Sequence, residues 1–537
     1  MDTVMATARM RLARKPSPVC VLAACLGVIP AVAQADYAST GLFNGAASQA
    51  TGFAAEGPSS NWRLEPTLGV GLTWSDNVRL STEGKHVGDW SLRVEPGFAT
   101  SGRTSRSYGS FRASVNANVY ANEDSLNRTN LNMFGTGTVD LYERKLMLDA
   151  SASASQEQIT TLGAPASGAA YNPNNATQLT MFSLSPYFRW QWGARETGEI
   201  RYRATLSDSS NSFLNNNLRQ DVNLVVGNGA SPDPLGWYLT GNHSVIKYDT
   251  ANDSKTSDTR LYGVYAIDPM FKLRADVGYE KNNFAAFGGE EQQIYGGGFE
   301  WTPSPRTRLA GMTEKRFFGN GYNYEFTWRG PLSSISASFV RDVTTTSSTL
   351  SSVQLLGLMI AYAEAGTKAP DGGKSAAKTW ADRGLPSLYE ILSGATFVTR
   401  SYYLEKRAQV SGGLTGARNG AVLSLTYTDR RRLVDPALLV PGDQLANFDV
   451  VEDMGGTLVL NHRLTPISNL TALLGASRSN GETLGLSTTT RRRDASLTGS
   501  TSFGQGIIGS LSYRYQASRG ASSYDENSVA ATLGMRF

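Results

Sequence analysis

The last ten residues, Ser528 to Phe537, read SVAATLGMRF. Successive side chains of a β-strand point to opposite faces, so every second residue shares a face. One face of this stretch is apolar, and the opposite face holds small or polar residues and Arg536. The apolar face consists of Val529, Ala531, Leu533, Met535 and Phe537. The stretch therefore predicts an amphipathic strand that ends on an aromatic residue.

This strand resembles the terminal strand of bacterial outer-membrane β-barrels, whose final aromatic residue is read by the barrel-assembly machinery. The residues expected to carry that signal are Val529, Leu533, Met535 and Phe537. The alternative is an amphipathic strand that happens to come last. The remaining sequence favours the barrel.

The first 35 residues have the pattern of a secretory signal peptide. Basic residues at 9–15 precede an apolar run at 19–32, and Ala33–Ala35 fits the small-x-small cleavage pattern. The apolar run is shorter than the ~20 residues that a membrane-spanning helix needs. A rival interpretation is the lipoprotein-like sequence Leu22–Cys25, which would follow a cramped apolar region broken by prolines. Cleavage after Ala35 is the preferred prediction.

Cysteine content and charge exclude several classes of protein. Cys20 and Cys25 both lie in the signal segment, so the mature chain is expected to have neither a disulfide framework nor a thiolate metal site. The precursor has 50 basic and 46 acidic residues; cleavage removes four basic residues and one acidic residue, which leaves a net charge of about +1. Such a balance indicates no nucleic-acid partner.

Strict alternation of apolar and polar residues is the dominant signal after residue 61. It is clear in 62–74, 182–192 and 199–206, where the apolar set carries no charge. The mean hydropathy of −0.28 argues against helical membrane spans. It is compatible with a barrel, because barrel strands expose only every second residue to lipid.

The spacing of large aromatic residues separates a membrane barrel from a soluble sandwich or solenoid. Trp62 and Trp74 share a face, about 40 Å apart along a strand and roughly 30 Å apart along the membrane normal at a tilt of ~40°. Phe182 and Trp192 give about 25 Å in the same way. These values bracket an apolar band of ~25 Å with aromatic residues at both rims.

Short turns rich in Gly, Pro, Ser and charged residues alternate with longer polar stretches. The ten predicted turns are Ser101–Thr104, Tyr142–Arg144, Gly193–Arg195, Ala230–Pro234, Asp268–Pro269, Pro303–Arg306, Arg329–Pro331, Gly416–Asn419, Thr465–Ser468 and Gly504–Gly506. The predicted long loops are Asp76–Gly88, Gln158–Asn175, Ser209–Asn217, Thr344–Ala395, Arg431–Asn447 and Asn480–Arg491. The sequence therefore predicts an all-β fold, a single antiparallel transmembrane β-barrel of about 22 strands, with short periplasmic turns and long extracellular loops.

The predicted parts of the chain are a signal peptide at 1–35, a segment at 36–61 and the barrel at 62–537. Residues 36–61 are rich in Ala, Gly and Ser and too few for a folded plug, so they are interpreted as a periplasmic linker or a partial lumen filler. The insertion at 344–395 breaks the alternation. It is interpreted either as a disordered surface loop or as a loop that folds back into the lumen.

An ordered set of short motifs runs along the predicted barrel. The motifs are Trp62-x-x-x-Pro66, Ser75-Asp76-Asn77, Val94–Gly97, Trp301–Thr307, Arg316–Gly319, Leu464–Pro466 and Tyr524–Val529. Together they resemble the outer-membrane proteins of the PEP-CTERM (exosortase) system over most of the mature chain, apart from 344–395. The resemblance implies an outer-membrane protein found with exopolysaccharide production and the surface sorting of PEP-CTERM proteins, and it implies no reaction.

Residues for catalysis are sparse. The three histidines, His86, His243 and His462, fall in separate predicted elements, and nothing in the sequence brings one of them to a serine nucleophile. No nucleophile elbow, phosphate-binding loop or metal-ligand spacing is present. The sequence therefore predicts no catalytic, cofactor-binding or metal site and no enzyme.

Charged residues on the polar faces of the strands are the remaining candidates. The predicted lumen-lining charges are Arg63, Arg93, Arg112, Arg189, Arg201 and Arg203. One interpretation is that they pair with inward-facing carboxylates and hold a wide barrel open. The other is that arginine clusters guide an anionic polysaccharide, as rings of charge tune pore selectivity. The arginine triplets at 430–432 and 491–493 are expected to bind lipid phosphate or to solvate a loop.

Two functions follow as hypotheses. The first is a pore or accessory component of an exopolysaccharide export and surface-sorting system, and the alternative is a non-conducting structural or adhesin-like barrel. The expected partners are outer-membrane lipid, the barrel-assembly machinery, polysaccharide and export-system proteins, with no nucleic acid. No cofactor is expected.

Overall fold

The computed structural model describes residues 62–537, apart from 166–167, 169, 194, 211–215, 229–233, 250–252, 284–290, 345–398, 400–401, 435–443 and 505. The predicted signal peptide at 1–35 and the segment at 36–61 therefore lie outside the described residues. So does nearly all of the predicted insertion at 344–395.

Twenty-two antiparallel strands form one sheet that closes on itself, as predicted. The strands are β1 Arg63–Ser75, β2 Asp89–Arg103, β3 Ser107–Tyr120, β4 Arg128–Tyr142, β5 Leu146–Gln158, β6 Ala176–Trp192, β7 Glu196–Ser209, β8 Asn217–Gly227, β9 Leu235–Tyr248, β10 Ser254–Ala266, β11 Phe271–Asn282, β12 Glu291–Ser304, β13 Thr307–Arg316, β14 Gly319–Arg329, β15 Ser333–Thr344, β16 Tyr403–Thr415, β17 Asn419–Arg432, β18 Val450–Arg463, β19 Ser468–Thr483, β20 Leu486–Gly504, β21 Ile507–Gly520 and β22 Tyr524–Arg536. The described helices are short: two 3₁₀ turns, Asp124–Leu126 and Pro173–Asn175, and one α-helix, α1, Gln444–Asn447. No helix in the described part of the chain is long and apolar enough to cross a membrane.

The terminal strand closes the barrel. β22 pairs with β1 in a continuous antiparallel register that runs from Ser75 opposite Ser528 to Thr67 opposite Arg536. Phe537 extends this ladder, because its backbone N–H donates to the carbonyl oxygen of Pro66 at 3.0 Å. Closure leaves neither terminal strand with an open edge, which is the condition for a β-sheet inside hydrocarbon.

The outer face of the barrel is apolar around its circumference. Outward side chains with large exposure lie on strands from every part of the sheet, for example Leu64, Leu184, Val277, Leu414 and Leu511. Tryptophan marks both rims. Trp74 and Trp90 lie at the long-loop end, whereas Trp192, Trp237 and Trp301 lie at the short-turn end. An exposed apolar surface of this extent fits a lipid bilayer and not water, so the barrel is a transmembrane one.

The predicted short turns all lie at one end of the barrel, and the other end carries long loops together with some short links. All ten predicted short turns overlap the links from an even-numbered strand to the next odd-numbered one. The prediction of a long loop at Asn480–Arg491 is wrong, because β19 and β20 run through it and meet at Leu484 and Gly485. This hairpin lacks the apolar alternation on which the prediction relied, since its upper part carries polar residues on both faces.

The tip of the β19–β20 hairpin contains a strained residue. Leu484 and Gly485 have φ values of 47° and 78°, the signs that a two-residue type I′ turn requires at both positions. A left-handed conformation costs an ordinary residue ~1–2 kcal/mol, and asparagine adopts it more readily. Leu484 is also 94% exposed, so its side chain contributes little packing.

We therefore expect Leu484→Asn to stabilise the folded barrel by about 1 kcal/mol. The measurement is urea unfolding in detergent, followed by circular dichroism. Leu486→Asn is the matched control: Leu486 is also strongly exposed but does not have a positive φ. An equal gain in both variants would show that lost surface hydrophobicity, and not relieved strain, is the cause.

Candidate functional site

The six predicted lumen arginines all lie on the inward face of their strands. Outward neighbours such as Leu64, Leu92 and Ile200 are exposed on the apolar outer surface, and alternation places the arginines on the opposite face. The structure separates them into two groups, with β4 and β5 between them. Arg63, Arg93 and Arg112 lie on β1, β2 and β3, whereas Arg189, Arg201 and Arg203 lie on β6 and β7.

The β6–β7 arginines belong to an ion-pair network. Arg201 contacts Asp149 Oδ2 through Nη1 at 2.6 Å and Glu199 Oε1 through Nε at 2.9 Å. Arg189 contacts the other oxygen of Glu199 at 2.6 Å, and Arg203 lies directly opposite Asp221 in the neighbouring strand. Both Arg201 and Asp149 are buried in this network. These arginines fit the interpretation of paired charges that support the wall.

Two further inward clusters of the same kind were not predicted. In the first, Arg260 contacts Glu314 at 2.9 Å, and Arg316 bridges Glu280 at 2.7 Å and Asp342 at 2.9 Å. These residues come from four strands, β10, β11, β13 and β15. The paired residues lie up to 54 positions apart in the sequence. A charged residue in an alternating strand does not indicate which residue it meets on another strand, so these pairs could not be predicted.

The second unpredicted cluster surrounds Arg430. Its Nε donates to Glu405 Oε2 at 3.0 Å and its Nη1 contacts Asp453, while Arg407 also contacts Glu405. Arg430 is one of the largest fully buried side chains. The expectation that the triplet 430–432 binds lipid phosphate or solvates a loop is therefore wrong for Arg430, because alternation turns this residue into the lumen wall. Its neighbour Arg431 points to the outside.

Arg63, Arg93 and Arg112, called here the β1–β3 arginines, differ from these clusters. All three are exposed, and none forms an ion pair or hydrogen bond with another side chain among the residues that the structure describes. The nearby carboxylates have other partners: Glu65 pairs with Arg536 at 3.5 Å, and Glu95 accepts a hydrogen bond from Ser114 at 2.8 Å. Three adjacent strands therefore present uncompensated guanidinium groups to the lumen.

The loop between β5 and β6, residues 159–175, crosses the long-loop end of the barrel and is called the mouth loop. Thr490 Oγ1 donates to the carbonyl oxygen of Leu162 at 2.9 Å, and Arg492 Nη2 donates to that of Thr161 at 2.9 Å. The backbone N–H of Thr161 donates to Gln444 of α1 at 3.2 Å. Since β5 and β20 are seven strands apart around the closed sheet, these contacts reach across the mouth.

Apolar packing fixes the root of the mouth loop. Tyr171 is buried in a cluster with Val78, Tyr120 and Leu126, and the Arg128 guanidinium lies 3.5 Å from the centre of its ring. A second cluster joins Leu80, Ala164, Ala170 and Tyr524. The predicted long loops at the starts of β2 and β6 thus pack on each other above the strands, and they narrow the entrance on one side.

The histidines occupy unrelated places. His243 lies on the outer face, and its Nδ1 is 2.7 Å from Ser257 Oγ. The structure thus brings a histidine to a serine, which the sequence did not indicate, but no carboxylate orients this ring among the described residues. His462 Nδ1 lies 2.6 Å from Asn419 Oδ1, and His86 lies between β1 and β2. The described chain contains no group of three potential metal ligands.

The pKa of the Tyr402 phenol, which precedes β16 at the long-loop end, is raised above its ordinary value. Burial is the main cause, because it disfavours the phenolate, while the Arg219 guanidinium and the Ser244 hydroxyl act in the opposite direction. Tyr402 belongs to an apolar cluster with Ile246, Leu404 and Leu433. Tyr402 therefore acts as a packed, neutral side chain at physiological pH.

Comparisons with known proteins find similarity among solved structures alone. No family model and no curated protein matches the chain. Among solved structures, the siderophore receptor PirA from Acinetobacter baumannii aligns with 8% identity and a TM-score of 0.47, over 89% of this chain and 81% of that one. The FrpB iron transporter from Neisseria meningitidis (F5-1 variant) aligns with 9% identity and a TM-score of 0.46, over 90% and 83%. At these identities nothing about their ligands is carried over to this chain.

Proposed function

We propose that the chain is an outer-membrane pore that passes an anionic polysaccharide, as a component of an exopolysaccharide export and PEP-CTERM surface-sorting system. The observation that carries this proposal is the contrast within the lumen wall. The inward arginines of the three ion-pair clusters are held by carboxylates, whereas the β1–β3 arginines remain available to an anion. The motif resemblance supplies the biological context.

The location in the outer membrane rests on two supports. The predicted signal peptide would direct the chain across the inner membrane. The closed barrel with an apolar belt satisfies its backbone groups internally, as a β-structure in a bilayer must. With the short turns on the periplasmic side, the mouth loop lies at the cell exterior.

Removal of the β1–β3 arginines tests the pore directly. In planar bilayers we expect the unaltered protein to conduct and to prefer anions, because uncompensated guanidinium groups raise the local anion concentration. Substitution of Arg63, Arg93 and Arg112 by glutamine should reduce this preference to near neutrality. The measurement is the reversal potential in a salt gradient.

A matched control keeps the number of substitutions constant. Arg144, Arg306 and Arg418 lie in short connections outside the strands, so their glutamine variants should keep the original selectivity. A flat current trace from a folded, heat-modifiable barrel would overturn the pore. Conductance with unchanged selectivity in the lumen variant would overturn only the role of the arginines.

The mouth loop favours a second candidate, a non-conducting structural or adhesin-like barrel. Barrels of this strand number typically hold a filled lumen, and the mouth loop narrows one side of the entrance. If the loop limits transport, replacing residues 160–174 by a short Gly-Ser linker should increase the single-channel conductance. Thr490→Val, which removes only one hydrogen bond that anchors the loop, should have a smaller effect in the same direction.

The biological assignment needs a cellular test. Deletion of the gene is expected to reduce exported polysaccharide, and complementation with the unaltered gene should restore it. Normal export by the deletion strain would contradict the export role. If the purified protein conducts in bilayers while export remains normal, the protein is a pore for a substrate other than this polysaccharide.

A further inference from the structure

Four arginines form a compact group on the outer face of the barrel at its long-loop end. Arg478 of β19 lies directly opposite Arg491 of β20, and Arg491 lies directly opposite Arg519 of β21. Arg493 is two residues from Arg491 and shares its face. We call these residues the arginine row. Below them, the same faces carry the exposed apolar residues Leu474, Leu497, Leu511, Tyr513 and Tyr515.

This arrangement is electrostatically unfavourable in the isolated protein. Side chains directly opposite each other in antiparallel strands have Cβ atoms about 4.5–5.5 Å apart, and like charges at such positions destabilise the sheet. Among the residues that the structure describes, only Arg519 of this row has an acidic partner, Asp525, at 3.6 Å. Arg478, Arg491 and Arg493 form no ion pair or hydrogen bond with another side chain in the described part of the chain, and all three are exposed.

Another outward group at the same end shows that such charges can be compensated. Arg431 contacts Asp429 at 3.1 Å, and Lys406 contacts the same carboxylate at 3.4 Å. Asp429 is in turn directly opposite Glu452 of the next strand. Acidic residues therefore accompany the basic ones on β16–β18, whereas the arginine row has one carboxylate for four guanidinium groups.

The height of the arginine row matches the boundary of the bilayer. Ile507 begins β21 at the short-turn end, and Arg519 follows 12 residues later on the same outward face. That separation is about 40 Å along the strand and roughly 30 Å along the membrane normal at a tilt of ~40°. A hydrocarbon core of ~30 Å therefore ends near the row. Arg493 lies opposite Ala517, and Tyr515 precedes Ala517 by two residues on the same face, nearer the middle of the membrane. Tyrosine has an amphipathic side chain that favours such a boundary.

We propose that the arginine row binds the phosphate groups of an anionic lipid in the leaflet that faces the cell exterior. Guanidinium groups bind phosphate through two parallel N–H donors and are less strongly hydrated than ammonium groups. A lipid headgroup is the anion that the position selects, because the row faces outward from the barrel at the headgroup level. A bound lipid phosphate would also remove the mutual repulsion of the arginines.

The test uses the purified full-length barrel in a neutral detergent, titrated with a bisphosphorylated glycolipid. Native mass spectrometry measures the bound fraction. We expect saturable binding that weakens about tenfold for each arginine changed to glutamine at 478, 491 and 493, since charge-assisted hydrogen bonds lie in the range that gives this ratio. The short-turn variant Arg144→Gln, Arg306→Gln and Arg418→Gln should bind like the unaltered protein.

Further ligands and variants distinguish binding of a lipid phosphate from binding of acyl chains alone or of free phosphate. The dephosphorylated glycolipid should bind much more weakly, and inorganic phosphate should not compete at similar concentration, because it lacks the acyl chains that the apolar belt contacts. Equal binding of the dephosphorylated lipid, or of the triple glutamine variant, would overturn the proposal. Lysine at the same three positions keeps the charge but loses the bidentate geometry. It should bind with intermediate affinity, and it provides a folded comparison if the glutamine variant does not insert.

Discussion

Deletion of Phe537 is expected to lower the amount of this protein in the outer membrane strongly while leaving the refolded barrel nearly as stable as before. The two parts of this result follow from the environment of the residue. Its ring is 72% exposed on the outer face, so it contributes little packing within the barrel. Its backbone adds only one bond, to Pro66, beyond the continuous pairing of β22 with β1.

A lower cellular level is expected because the predicted role of the exposed ring is to bind the assembly machinery. Burial of a phenylalanine side chain in a partner contributes ~1.5–3 kcal/mol, which corresponds to about a ten- to hundredfold change in binding. We therefore expect Phe537→Ala to reduce outer-membrane levels by a similar factor, and Phe537→Tyr to retain most of them. Immunoblots of outer-membrane fractions measure this.

Refolding in detergent separates assembly from stability. Purified Phe537→Ala protein should refold and show the heat-modifiable mobility of a closed barrel. Normal outer-membrane levels of the deletion variant would contradict the role of Phe537 as a signal. Loss of refolding in vitro would instead show that the residue is needed to close the seam. Val529, Leu533 and Met535 share the outer face with Phe537, and their part in the signal stays a prediction.

The architecture could be predicted from sequence because its signals are local. Alternation between 62 and 74 identifies a strand and its two faces, and turn residues such as Gly416–Asn419 mark where strands reverse. The strand count then follows from the number of short turns. The hairpin through Asn480–Arg491 was not predicted, because its strands extend beyond the apolar belt, where neither face has to be apolar.

The contents of the lumen could not be predicted in the same way. Arg260 and Glu314 meet only because the register of three successive strand pairings, from β10 to β13, brings them together. The contact between Thr161 and Gln444 spans 283 positions and crosses the mouth. Alternation could have predicted which arginines of each triplet face the lumen and which face outward. That prediction would have required assigning the triplets to strands, whereas they were placed beside loops.

Substitution of Arg430 by methionine is expected to destabilise the barrel strongly. Arg430 is buried between Glu405 and Asp453, so its removal leaves Asp453 without its ion-pair partner and Glu405 with Arg407 alone. Breaking a buried ion pair in this way costs ~3–5 kcal/mol. Urea unfolding of the purified barrel in detergent measures the change.

Arg431→Met is the matched control, because it alters the next residue on the opposite face. Arg431 is half exposed and shares Asp429 with Lys406, so its loss should cost no more than about 1 kcal/mol. Similar losses in the two variants would show that the position in β17, and not the buried charge, is responsible.

A triple variant decides whether the charge cluster itself is required. When Arg430→Met is combined with Glu405→Gln and Asp453→Asn, both carboxylates that faced Arg430 disappear, and most of the lost stability should return, as it does when buried ion pairs are replaced as a unit. Recovery would mean that the cluster is mutually dependent and contributes little net stability beyond a neutral wall. If the triple variant stays as unstable as Arg430→Met, the guanidinium contributes by connecting β16, β17 and β18, whose inward faces it contacts, and the wall depends on that link.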